Sequence, residues 1–165
     1  MTAHTPDPRR LEIIEAYNRE RDALVKLIQR VDPAVWDKPS PCAGWSAKDL
    51  VSHLVTSATR LSASVKMMLQ GQRPNPTRAD LDAANEAGVE ERRGRSLPEL
   101  IDELRTSHQK NIDLFLSLTD EQLAVNGALS SGEVITVIER FRRAGKHYRE
   151  HGGMLAEVAG LGSGY

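Results

Sequence analysis

The sequence predicts an all-α protein built as a four-helix bundle, and three observations lead there. Four long stretches repeat their apolar residues at helical spacing. Strand-type alternation is scarce. Aromatic residues make up only 4% of the chain. Four amphipathic helices that each present one apolar face are expected to bury those faces against one another.

The first eight residues carry two prolines and read as a loose arm that includes His4, which is expected to be inert. From Arg9 to Val31, Ile13, Ile14, Tyr17, Leu24, Leu27 and Ile28 mark the first helix, and Asp32-Pro33 ends it. Pro39, Pro41 and Gly44 fix the following loop. Ser46-Ala-Lys-Asp49 reads as a variant capping box, opening a second helix from Ala47 to Leu69. Its stripe is Leu50, Leu54, Ala58, Leu61, Val65 and Met68. A loop with Pro74 and Pro76 leads to a short helix over 78–90. Glu90-Glu-Arg-Arg-Gly-Arg95 reads as a solvated connector. Ser96-Leu-Pro-Glu99 is a capping box with proline in the first turn. It starts a third long helix to about Leu118, with Leu97, Leu100, Ile101, Leu104, Ile112, Phe115 and Leu118 inward. Thr119 begins a further short turn. Ser130-Ser-Gly-Glu133 is expected to cap the fourth long helix, which runs to about Val158. Residues 160–165 read as a frayed tail.

The 165 residues fit one domain, 1–165. With 22 basic and 23 acidic residues the net charge is −1. That balance leaves no electrostatic footprint for nucleic acid or a membrane surface. No segment approaches the roughly 20 apolar residues of a membrane span, and MTAHTPDPRR has no apolar core of a signal peptide. Cys42 is the one cysteine, which suits a cytoplasmic location.

Candidate chemistry centres on histidine. On a helical wheel His147 and His151, four apart, fall within the apolar arc of the fourth helix. His53 points inward beside Leu50, Leu54 and Ser57. Three imidazoles aimed at one interior are what an open metal site requires. Spacing alone admits two readings, packed histidines with satisfied ring nitrogens or metal ligands. Arg140 lies in the same arc, two turns before His147. It reads either as a clamp for a carboxylate of a substrate or thiol cofactor, or as an internal ion pair with Glu20 or Glu133. His108, inward on the third helix, could line the pocket, move a proton or pack. Asp49 could orient His53 or only cap its helix. Cys42 precedes a helix N-terminus, where a thiol pKa can fall. Trp36 and Trp45 read as loop anchors and Tyr148 as core.

The stretch WDKPSPCAGWSAKDLVSHL, Trp36 to Leu54, narrows these readings. It resembles the DinB-like superfamily, in particular the N-terminal domain of mycothiol-dependent maleylpyruvate isomerases. The pattern W…P-x-x-G-W-S/T-x-x-D-L-x-x-H-L is matched at Trp36, Pro41, Gly44, Trp45, Ser46, Asp49, Leu50, His53 and Leu54. The His-x-x-x-His at 147 and 151 resembles the second and third ligand positions of that family, and Leu97 to Leu123 resembles its third helix and loop. The resemblance implies a bundle with a long crossover connection (DinB/YfiT-like) and a three-histidine site for a divalent metal, zinc or nickel. It implies a metal-dependent S-transferase or isomerase that uses a low-molecular-weight thiol such as mycothiol on small electrophiles. In such an enzyme Arg140 or His108, neither of them required by that pattern, is expected to orient the substrate or move a proton. Arg140 would be catalytic or cofactor-binding. A metal-dependent hydrolase and a non-catalytic binding or resistance protein are the alternatives. The family also implies a homodimer, and it assigns Cys42 to the loop rather than to catalysis. The isomerase has a further C-terminal domain, whereas this chain ends soon after its last helix, so thiol chemistry in a single domain is expected over isomerisation.

Overall fold

Side-chain caps set where the helices begin. In the computed structural model, which describes residues 7–42 and 44–162, α1 spans Pro8–Arg30, with the Asp7 carboxylate accepting from the Arg9 amide and Pro8 at the first helical position. A single 3₁₀ turn, Pro33–Val35, follows. Helix α2 spans Ala47–Leu69 behind a reciprocal capping box of Ser46 and Asp49. Helix α3, Arg78–Arg92, has a box of Thr77 and Asp80, and α4, Leu97–Ser117, a box of Ser96 and Glu99. A short α5, Asp120–Leu123, precedes strands β1, Asn126–Ala128, and β2, Val134–Thr136. Helix α6, Val137–Val158, closes the chain.

The long helices α1, α2, α4 and α6 form the bundle: α2 packs on α4 and α6, and α1 packs on α6. Helix α3 lies in the crossover between α2 and α4 and packs on α2. The apolar stripe read for α2 is buried throughout. Leu24, Leu27, Leu50, Leu54, Leu104 and Leu155 fill the end of the core nearer Trp36. Leu61, Val65, Phe115, Phe141 and Ile135 fill the other. Each fully buried leucine contributes about 2 kcal/mol relative to exposure, so packing of the four faces outweighs helix propensity.

The structure differs from the sequence reading at four places. Residues 130–133 do not cap α6. They form the turn of an antiparallel hairpin pairing Asn126 with Thr136 and Ala128 with Val134, with Gly132 at φ +88°, a conformation glycine adopts without strain. Thr136 is the true cap, accepting from the Glu139 amide. Ile135 of the hairpin is buried in the core, so the protein is not wholly α. The connector 90–95 is not simply solvated: α3 continues to Arg92, whose side chain is buried. The guanidinium donates to Glu103 at 2.7 Å, to the Gly88 carbonyl at 3.0 Å and to the Thr56 hydroxyl at 3.2 Å. Pro8, placed in the loose arm, belongs to α1. At the other end Gly160 takes φ +67°, and the Leu161 amide donates to the Ala156 carbonyl at 2.9 Å. That closure is of the Schellman type, and Leu161 packs on the core. Asp7 caps α1, and residues 1–6, His4 included, and 163–165 lie outside the described residues.

Helix α3 lies very close to α2. A Cβ placed on Gly88 would fall 2.2 Å from Thr56 Cγ2, so only glycine permits this approach.

Candidate metal centre

Two helices bring the three histidines together. α2 supplies His53 from its buried face, and α6 supplies His147 and His151 from successive turns. One ring nitrogen from each lies within 4.8 Å of the other two. His53 Nε2 and His147 Nε2 are 3.1 Å apart, and the ring centroids of His147 and His151 are 4.2 Å apart. Ligands held at the usual zinc–nitrogen distance around a tetrahedral ion sit about 3.3 Å from each other, so the donor spacing suits one divalent ion.

The ring tautomers suit ligation. His151 Nδ1 lies 3.3 Å from the His147 carbonyl. Donation there puts the proton on Nδ1 and leaves Nε2 as a free lone pair. His53 Nδ1 is buried with no hydrogen-bond partner. In the absence of an ion one Nε2–H donates to the other ring's Nε2 at 3.1 Å; with both rings protonated at Nδ1 the two Nε2 lone pairs would face each other, the arrangement a cation between them requires.

Burial keeps the rings neutral. Desolvation, with smaller contributions from His151 and Arg60, pulls the His53 pKa down to about 4. Desolvation holds His147 well below the ordinary histidine value and lowers His151. Neutral imidazole is the ligating form.

Trp45 covers one side of the triad, its ring 4.9 Å from that of His53. Its indole N–H donates to Glu86 of α3 at 2.9 Å, tying loop and crossover helix together beside the site. Asp49 does not reach His53: it caps α2 and pairs with Arg93 at 3.3 Å.

A cavity of about 620 Å³ opens on the triad. His53, His147 and His151 line it together with Tyr17, Tyr148 and Arg140. The hydroxyls of Tyr17 and Tyr148 are 3.1 Å apart. The far wall comes from α3 through Arg78, Leu81 and Asn85. A smaller cavity of about 350 Å³ touches His53 and His151 from the side of Cys42 and Trp45.

Of the other expected site residues, Arg140 lines the cavity and His108 does not. His108 is fully buried, with Nε2 2.9 Å from Asn18 Oδ1 and its ring against Tyr17 at 3.8 Å. Burial takes its pKa down to about 3. A proton-transfer or substrate-orienting role for His108 has no geometric support at this cavity. The internal partners considered for Arg140 are engaged elsewhere: Glu133 accepts from Arg143 at 2.6 Å and Glu20 from Arg149 at 2.9 Å. Burial raises the Cys42 pKa, and its thiol contacts Met154 Sδ at 3.9 Å, which is not the setting of an activated nucleophile. Sequence reasoning missed Tyr17, Arg78 and Asn85 as cavity residues. Tyr17 reads as one more apolar-stripe position, and α3 gives no motif that aims it at a site.

The family model "Mycothiol maleylpyruvate isomerase N-terminal domain" matches residues 17–144. The fold is similar to that of the mycothiol-dependent maleylpyruvate isomerase, with TM-score 0.71 and 13% identity over 88% of this chain. The chain spans 60% of the length of that isomerase. It is similar over most of both chains to YfiT from Bacillus subtilis, described as "a probable metal-dependent hydrolase with an unusual four-helix bundle topology". Here the TM-score is 0.72 at 15% identity, covering 96% of this chain and 90% of that one. A DinB-like protein of Bacillus subtilis, YjoA, aligns with TM-score 0.58 and 18% identity, covering 90% of each chain. No protein of curated function matches the sequence. No helix among the described residues is long and apolar enough to cross a membrane.

Proposed function

The chain belongs to the family of mycothiol maleylpyruvate isomerase N-terminal domains, within the DinB-like superfamily, and from that premise we propose that it is a metal-dependent enzyme joining a low-molecular-weight thiol of the mycothiol type to small electrophiles. The observation that carries this reading is the triad: three neutral imidazoles with donor nitrogens within 4.8 Å of one another, at the wall of a cavity large enough for a small molecule. His53, His147 and His151 would hold the ion, and three protein ligands leave a position open. A divalent ion in such a site acts as a Lewis acid and lowers the pKa of a thiol or water bound to it. Zinc and nickel both suit an imidazole donor set.

The protein's own residues keep the rings neutral by burial and place the Trp45 indole against one side of His53. In the net reaction sulfur forms a bond to the electrophilic carbon and the thiol proton passes to solvent or to the product. Where the carbon bears a leaving group, that group departs with its electron pair.

Replacing His147 with Ala tests the site. Elemental analysis of the purified variant is expected to find the metal lost, and unchanged stoichiometric metal overturns the assignment. Turnover is tested with zinc- or nickel-loaded protein, mycothiol and a panel of small electrophiles, following thiol consumption. The near full-length likeness to YfiT supports hydrolysis as a second reading. Thiol-independent release of product would favour it, and stoichiometric binding without turnover would favour a binding or resistance protein.

A further inference from the structure

Four cations line the large cavity: Arg78, Arg140, Arg143 and Lys146. Three of them are neutralised by carboxylates of the protein. Arg78 pairs with Asp82 at 2.9 Å, Arg143 with Glu133 at 2.6 Å, and Lys146 with Glu150 at 3.5 Å. Among the described residues Arg140 has no carboxylate within ion-pair distance. Its Nε is shielded from solvent and has no hydrogen-bond partner. A guanidinium with no counter-ion and its Nε shut off from water is unfavourable: burial opposes its charge most, Tyr17 offsets part of that, and Arg143 opposes it again. The arrangement makes physical sense when the missing anion arrives with a ligand.

We propose that Arg140 is the anchor for a carboxylate carried by the small-molecule electrophile, so that the substrates of this protein are small organic anions. This rests on the triad being the reactive centre. Arg140 precedes His147 by seven residues on α6, two turns along one face, which separates their Cα atoms by about 10.5 Å. A carboxylate on the guanidinium fork would therefore direct the remainder of a short molecule along α6 toward the histidines. The planar fork of the two terminal N–H groups favours a planar, bidentate acceptor over a single-atom anion such as chloride. The anchor is assigned to the electrophile, and an uncharged thiol to the smaller cavity, which shares His53, Arg78, Asn85 and His151 with the large one but adds the carboxylates of Asp82 and Glu86.

Calorimetric titration of succinate and its uncharged diamide into the full-length protein tests the proposal without relying on turnover. It is run on zinc-loaded protein and again after chelator treatment, so that failure of the metal reading does not mask the result. Succinate is expected to bind at least tenfold more tightly than succinamide to both forms. Arg140→Gln is expected to abolish that preference while its zinc content stays at the wild-type level. Arg140→Lys, which keeps charge but not the fork, is expected to recover it only in part. A purely structural arginine predicts that Arg140→Gln lowers the melting temperature and leaves any succinate preference intact. An unpaired anchor predicts a melting temperature equal to or above wild type. Equal binding of succinate and succinamide by the wild type, or a preference that survives in Arg140→Gln, would overturn the proposal. If the carboxylate comes from the thiol instead, Arg140→Gln changes the KM for a carboxylated thiol and not the KM for a carboxylated electrophile, and the assignment falls.

Discussion

Two arginines, Arg92 on α3 and Arg140 on α6, are drawn into the protein and treated in opposite ways. Arg92 donates to Glu103, to the Gly88 carbonyl and to Thr56, and Arg95 also pairs with Glu103 at 2.5 Å. The chain thus supplies Arg92 with a carboxylate, a carbonyl and a hydroxyl. Arg140 has an orphaned Nε and, among the described residues, no carboxylate within ion-pair distance. A buried cation whose partners are supplied by the chain fastens one helix to another, whereas one left without partners reserves a place for something outside the chain. The histidines divide in the same way. His108 engages Nε2 with Asn18 behind the cavity-lining Tyr17, while the triad turns one ring nitrogen of each histidine toward a common point.

The largest expected effect falls on the partnered side. Arg92→Leu should destabilise the protein by about 3 kcal/mol, the lower end for breaking a buried ion pair, because Glu103 keeps Arg95. Chemical denaturation measures this, and metal content should stay unchanged. A loss of metal would mean that the α2–α3 clamp and the site are not separable.

Acid sharpens the contrast between His108 and an exposed histidine. The unfolded chain takes up a proton at His108 near pH 6.5, whereas the folded protein resists it down to about 3. The unfolded state therefore binds more protons across that window, so stability falls as pH drops. His108 alone accounts for roughly 2 kcal/mol between pH 7 and 5. In His108→Gln the acid-induced loss of stability should be smaller by that amount in paired denaturation curves at the two pH values. Identical pH slopes for variant and wild type would refute the burial argument.

Ser46→Ala removes the cap from which α2 carries His53 and should cost about 1 kcal/mol, read from thermal melts. The smallest effect is expected for Trp45→Phe. It deletes an exposed hydrogen bond to Glu86 but keeps a ring over His53, and should cost about 0.5 kcal/mol, the low end for a hydrogen bond, with metal stoichiometry intact. Metal loss on that change would show that the indole N–H, rather than the helices, sets the triad.

The triad was legible in the sequence because helical periodicity fixes which face His147 and His151 share, and the stretch Trp36–Leu54 marks His53. The hairpin was not legible. Asn-Gly-Ala and Val-Ile-Thr are too short to display alternation, and Ser130-Ser-Gly-Glu133 and Thr136-Val-Ile-Glu139 both read as S/T-x-x-E caps. Burial of Ile135 decides between them, and that depends on residues distant in sequence. The solitude of Arg140 was equally hidden. Whether Glu20 or Glu133 would reach it depends on where the hairpin and the facing turn of α1 put their carboxylates. Arg92 was read as solvated because its neighbours Glu91, Arg93 and Arg95 are charged, although helical geometry turns only one of that run inward.

The missing side chain at Gly88 has a mechanical consequence for the cavity. α3 carries Arg78, Leu81 and Asn85 along the far rim, and the height of that rim above the triad is set where the backbone rests on Thr56 with no clearance for one carbon atom. Gly88 thus works as a shim of zero thickness: adding a single methyl there would lift the strap as a lever does, with the effort applied at one end of the helix and the aperture changing near the other. On the proposed function, the gauge of molecule that reaches the histidines would be held by a residue that does not line the cavity.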